Sequence, residues 1–114
     1  MQTPFTAITV EHLAQLLADP PSDLQLVDVR EPEEIAIVAL PGFQAFPLSD
    51  FGTWAPDIGR RLNPAAETIV LCHHGVRSAQ MCQWLSQQGF TNVKNVTGGI
   101  DAYAAVVDPS LPRY

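Results

Sequence analysis

The chain has 114 residues, 46% of them hydrophobic and 16% charged, with a net charge of −6. That length predicts one domain over residues 1–114 with a single core, and the composition excludes a disordered chain. The acidic balance argues against nucleic acid or anionic membrane as a partner, and no apolar run approaches the ~20 residues of a membrane span.

The opening residues Met1-Gln-Thr-Pro-Phe-Thr6 carry neither a basic region nor an apolar stretch, so no signal peptide is read there and a cytosolic location is expected. Thr6 to Val10 is a short opening segment in which Thr9 is a candidate N-cap. In the helix that follows, Val10, Leu13, Leu16 and Leu17 share one face, and Asp19-Pro-Pro-Ser22 ends it. His12 lies on the polar side and reads as solvated surface. Leu24 to Val29 is the second strand signal, short and aliphatic. Pro32 suits the first turn of a short helix whose N-terminus is complemented by the acids Glu31, Glu33 and Glu34. Leu40-Pro-Gly42 is a turn and Phe43 to Phe46 a short strand. Leu48 to Leu62 has loose helical spacing interrupted by Gly52 and Pro56, and Asn63 to Glu67 is a loop.

The stretch Thr68-Ile-Val-Leu-Cys-His-His-Gly-Val-Arg-Ser78 organises the rest. Its apolar, β-branched start has the length of a buried strand and stops at Cys72. Helical spacing resumes at Arg77 and Ser78 and runs through Ala79, Met81, Cys82 and Leu85. A thiol is thus expected at the carboxyl edge of a strand, beneath a helix N-terminus. Unpaired amides and the helix dipole favour an anion there, and such surroundings lower a thiol pKa. Cys72 is therefore the candidate nucleophile. Cys82 falls between Met81 and Trp84 on the helix and reads as a small buried apolar residue; a cytosolic location argues against a structural disulfide with Cys72.

Gln88-Gly-Phe90 stops that helix, with Gly89 as its cap. Asn92 to Val96 reads as a short peripheral strand. Thr97-Gly-Gly99 opens a last helix, Ile100 to Val107, and a proline-rich tail runs from Asp108 to Tyr114. Strands alternating with helical stretches predict an α/β fold with a mainly parallel sheet, whose ligands sit at the carboxyl ends of the strands.

Five stretches, in this order and spacing, resemble the single-domain rhodanese family. They are Leu26 to Glu34, Leu40-Pro-Gly42, Ile69 to Ser78, Gly89-Phe90 and Val96 to Tyr103. The resemblance implies a five-stranded, mainly parallel sheet flanked by helices on both faces. It also implies a sulfurtransferase in which Cys72 takes a sulfane sulfur from a thiosulfate-type donor as a persulfide. A thiophilic acceptor, either a small molecule such as cyanide or a thiol or a protein, then removes that sulfur. The loop His73, His74, Gly75, Val76, Arg77 and Ser78 would bind the donor through its amides, and Gly75 would let the backbone curl. Asp28 and Arg30 match an acid–arginine pair read as support between strand and helix, and Gly98 and Gly99 as positions of close packing. Arg77 has two readings: it holds an anionic donor, or it braces the loop through an acid such as Asp28.

No cofactor is implied. His73 and His74 beside Cys72 lack the spacing of a zinc site, so no metal is expected. Val38-Ala39 replaces the glycine and histidine usual before the turn, and Tyr103 stands where tryptophan is common. Two other functions compete. Phosphatases and arsenate reductases of related fold use five residues between cysteine and arginine, whereas His73 to Val76 is four. Non-catalytic docking modules of this family have lost the cysteine, which is retained here.

Overall fold

The computed structural model describes residues 5–114, so Met1 to Pro4 of the segment read for a signal peptide lie outside the described residues. Five strands form one sheet: β1 (Thr6–Ile8), β2 (Gln25–Asp28), β3 (Gln44–Ala45), β4 (Thr68–Leu71) and β5 (Val93–Val96), in the order β1-β5-β4-β2-β3. Every pairing is parallel. The helices are α1 (Val10–Ala18), α2 (Pro32–Ile37), α3 (Phe51–Trp54), α4 (Ile58–Arg61), α5 (Val76–Gln87) and α6 (Gly99–Val106).

The central strand β4 explains the layering. All four of its residues are buried, and they alternate between two cores, as successive strand residues must. Val70 packs with Trp54, Ile58, Met81 and Leu85, from α3, α4 and α5. Ile69 and Leu71 pack with Val10, Leu13, Ile100 and Tyr103, from α1 and α6. Each fully buried side chain of this size contributes about 1.5–3 kcal/mol, which is how a four-residue strand is held in register. Cys72 continues the alternation and falls on the α5 side.

Local signals account for the helix ends. Thr9 caps α1 by accepting the His12 N–H at 3.1 Å, and Pro32 occupies the first turn of α2. The buried residues of α5, Ser78, Met81, Cys82 and Leu85, recur at helical spacing. Gly89, at φ 91°, ends α5 in the left-handed conformation while the Phe90 N–H reaches the Leu85 carbonyl at 3.1 Å.

Two expectations change. Residues 48–62 form not one helix but α3 and α4, each preceded by a 3-10 turn. Pro56 has no N–H to continue a helical ladder through that point. The strand β5 is not peripheral: it lies between β1 and β4 with Val93, Asn95 and Val96 buried. Its two central polar residues suggest an edge but are satisfied inside. Lys94 pairs with Glu67 at 2.5 Å, and Asn95 reaches the loop after β4.

Candidate active site

Cys72 is the first residue beyond β4, and the loop to α5 turns around its sulfur. The Gly75 N–H donates to Cys72 Sγ at 2.9 Å, and Ser78 Oγ lies 3.2 Å from it. Gly75 is at φ 99°, a conformation glycine adopts without penalty, and this aims its amide back at the thiol. Two donors converging on one sulfur at a helix N-terminus stabilise negative charge there. The thiol is tucked beneath its loop and only 1% exposed, because the groups that serve the sulfur close over it. Val76, the first residue of α5, stands out at the rim and is 67% exposed.

Arg77 does not reach Asp28. Its guanidinium makes two parallel bonds to the Glu34 carboxylate, at 2.7 and 2.9 Å, and so ties α5 to α2. Asp28 is already committed to Arg30, which is fully buried and holds both its carboxylate oxygens at 2.7–3.2 Å. Arg30 also donates to the Val38 carbonyl at 2.9 Å and to Tyr114 Oη at 3.1 Å. The Val38 backbone carbonyl thus serves the arginine, a contact that does not depend on which side chain stands there. Bonding to Arg77 draws the Glu34 carboxyl down to about 2.

Gly98 and Gly99 bring α6 against the loop. A Cβ on Gly99 would stand 2.4 Å from the His73 carbonyl oxygen. In that space the N–H groups of Ile100 and Asp101 donate to the carbonyls of Cys72 and His73 at 2.9 and 3.0 Å. The start of α6 therefore fixes the backbone that carries the thiol.

Three residues at the site escape a reading by spacing. Asn95, buried on β5, accepts from Ser78 at 2.5 Å and donates to the Gly75 carbonyl at 3.1 Å. A polar residue among valines in β5 is the available signal. Glu34 is marked in the sequence only as an acid near a helix start. Tyr114, from the tail, donates to Glu34 at 2.7 Å and stacks on His73 with ring centroids 3.8 Å apart. Nothing in the sequence pattern announces that contact.

The His73 ring lies between those of Tyr114 and His74, and its Nε2 is buried without a partner among the described residues. Burial first, then the neighbouring His74, lowers its pKa. The fold also brings Asp101 up to the two histidines, with one ligating atom from each residue within 4.8 Å of the others. Arg113 already engages both oxygens of Asp101, at 3.1 and 3.2 Å, which opposes a cation at that spot. Cys82 is wholly buried, and burial, with the Cys72 charge adding, pushes its thiol up to about 12. It is a core residue of α5.

The loop and its parallel sheet have counterparts among known proteins. The family described as Rhodanese-like domain matches residues 9–106. The chain belongs to that family. A rhodanese-like domain protein from Staphylococcus aureus is similar at a TM-score of 0.76 and 29% identity, with 96% of this chain and 99% of that one covered. A sulfurtransferase from Allochromatium vinosum is 37% identical over 97 residues, covering 85% of this chain and 86% of that protein. The Rhodanese-like/PpiC domain-containing protein 12, chloroplastic, of Arabidopsis thaliana is 55% identical over 113 residues. This chain spans 38% of that relative's length, and the alignment takes in 97% of this chain. The chloroplast in that relative's name overturns the expected cytosolic location. That expectation rested on the first six residues.

Proposed function

We propose that this rhodanese-like domain is a sulfurtransferase that carries a sulfane sulfur on Cys72. The observation that supports the reading best is the pair of groups placed to donate to a Cys72 thiolate, the Gly75 amide at 2.9 Å and the Ser78 hydroxyl at 3.2 Å from Sγ. The Cys72 thiolate attacks the outer sulfur of a thiosulfate-type donor, an S–S bond forms, and sulfite leaves with the electron pair of the broken bond. A thiophilic acceptor such as cyanide or a thiol then attacks the outer sulfur of the persulfide, and Cys72 leaves as thiolate. Two displacements replace one difficult exchange. The loop amides would hold the charge of donor and persulfide, while Arg77 and Glu34 keep α5 and α2 together around them.

The four residues between Cys72 and Arg77 favour sulfur over phosphate, which the longer loops of phosphatases ring with amides. A docking module is the second reading, favoured by the 1% exposure of Cys72. A protein acceptor would serve the sulfurtransferase reading equally well.

Intact mass decides between them. The reduced chain is incubated with thiosulfate and then with cyanide. Gain of one sulfur atom on Cys72, removed as thiocyanate, is the expected result. No gain from thiosulfate or from a small persulfide donor would leave docking as the better account, and phosphate released from an aryl phosphate would move the chemistry to phosphoryl transfer.

A further inference from the structure

We propose that Asn95 is a positioning residue for Cys72: it holds the Ser78 hydroxyl proton while the thiol is protonated and yields it when the thiolate forms. The proposal deepens the sulfurtransferase reading and rests on Cys72 being the sulfur-carrying thiol.

The argument begins with a shortage of protons. Ser78 Oγ is 3.2 Å from Cys72 Sγ and 2.5 Å from Asn95 Oδ1. A hydroxyl has one hydrogen and two lone pairs, so it cannot donate to both at once. The orientation of the Asn95 amide is set independently, because its Nδ2 donates to the Gly75 carbonyl at 3.1 Å and leaves Oδ1 turned to Ser78. All three side chains are buried, at 1%, 0% and 8% exposure for Cys72, Ser78 and Asn95, so water does not make up the difference.

Two arrangements satisfy this geometry. With the thiol protonated, its S–H donates to Ser78 Oγ and the hydroxyl donates to Asn95 Oδ1. With the thiolate, the hydroxyl turns to the sulfur and Asn95 Oδ1 loses its donor. A buried acceptor without its hydrogen is costly. Asn95 therefore opposes ionisation and Ser78 supports it. Once the sulfur is loaded, Cys72 Sγ no longer carries the charge, and the hydroxyl can return to Asn95. The hydroxyl, carried on α5, thus swings once in each half-reaction between two acceptors held by different strands, Cys72 Sγ at the end of β4 and Asn95 Oδ1 on β5. Gly75 links the same device to the loop, since its N–H donates to the sulfur and its carbonyl holds Asn95.

The charged and titratable groups around the loop stay as they are in the test. They are Arg77 with its partner Glu34, and Cys82 on α5; His73 and His74 in the loop, with Tyr114 of the tail stacked on His73; Asp28 and Arg30 at the end of β2; and Asp101 on α6.

The experiment is a pH titration of thiolate ultraviolet absorbance in the Cys82→Ala background, recorded as a difference from the same chain also carrying Cys72→Ala. It needs no sulfur donor, so it stands or falls separately from turnover. Asn95→Leu should lower the midpoint, and Ser78→Ala should raise it, each by on the order of one pH unit, as a hydrogen bond to a charged group requires. Adding Asn95→Leu to Ser78→Ala should produce no further shift, because Asn95 acts through the hydroxyl. Asn95→Ala, which removes the same oxygen with less bulk, should shift the midpoint in the same direction and serves if the leucine variant does not fold. An unchanged or raised midpoint in the Asn95 variants, or an equal fall without the Ser78 hydroxyl, would overturn the proposal. Failure to load sulfur, with these midpoint shifts intact, would count against the sulfurtransferase reading alone.

Discussion

The guanidinium of Arg77 lies flat against the carboxylate of Glu34, with Nη1 to Oε1 at 2.7 Å and Nη2 to Oε2 at 2.9 Å. Such a fork-to-fork pair is directional, and here it joins the helix behind the thiol to the helix after β2. The Glu34 side chain is also bonded by Tyr114 Oη at 2.7 Å and by the Glu31 N–H at 3.0 Å. These bonds, with Arg77 first, bring the carboxyl from its ordinary 4.5 to about 2.

A depressed carboxyl stabilises the fold at any pH above its unfolded value, where both states are ionised. Stability is lost as pH falls from about 4.5 towards about 2, where the unfolded chain takes up the proton first. Glu34→Gln should flatten that part of the profile. Urea unfolding across this range is the measurement, and an acid limb as steep in Glu34→Gln as in the parent would assign the effect to other carboxyls.

The thiols are predicted to separate cleanly. Cys72→Ala should abolish sulfur loading while costing roughly 1 kcal/mol of stability or less, because a single buried atom is removed. Cys82→Ala should leave loading nearly unchanged, since that thiol is buried in α5 and held protonated up to about 12. Intact mass with thiosulfate, beside a thermal melt, tests both. A large loss of loading in Cys82→Ala would return it to the chemistry.

How much of this could be read from the residues depends on where the information lies. β4, the loop and α5 were legible because Thr68 to Leu71 is apolar on both faces, Gly75 marks the turn, and Met81, Cys82 and Leu85 carry a helical period. The parallel α/β architecture followed from strands alternating with helices. Pairing was less legible. Asp28 is an obvious acid for Arg77, yet Arg30, two residues away, takes it first, leaving Glu34 from the next helix. β5 looked like an edge because Lys94 and Asn95 are polar, and their partners, the half-buried Glu67 and the buried Ser78, are remote in sequence. The role of the tail depends on a contact between Tyr114 and His73, forty-one positions apart, that no local pattern encodes.

Tyr114 should matter more than a tail residue usually does. Its hydroxyl accepts from Arg30 and donates to Glu34, and its ring covers His73. Tyr114→Phe keeps the stacking and removes both bonds, which should cost about 1 kcal/mol in urea unfolding, since the residue is partly exposed. Tyr114→Ala should also uncover the His73 ring. Burial is the largest cause lowering that imidazole, so its titration should move up towards the ordinary 6.5. Proton NMR of the histidines measures this, and an unmoved His73 would mean that other groups bury it.

Gly99 tests whether the start of α6 sets the geometry of the loop. It sits at φ 62°, and an added Cβ would fall 2.4 Å from the His73 carbonyl oxygen and 2.5 Å from that of Cys72. Both oxygens are backbone, so no flexible side chain can give way. The left-handed conformation alone costs a non-glycine residue about 1–3 kcal/mol. Gly99→Ala should therefore destabilise the chain by about 3 kcal/mol and weaken the bonds from Ile100 and Asp101 to those carbonyls. The more specific expectation concerns what remains folded. With the Cys72 carbonyl pushed off α6, the thiol should lose its alignment with the Gly75 amide, and sulfur loading should slow at least tenfold under conditions where the variant is still native by circular dichroism. Gly98→Ala is the informative partner, because its Cβ would meet Ala102 rather than the loop. It should also cost stability, but folded Gly98→Ala should load sulfur at close to the parent rate. Equal loss of loading in both variants would make α6 a general support of the fold rather than the element that holds the thiol's backbone in place.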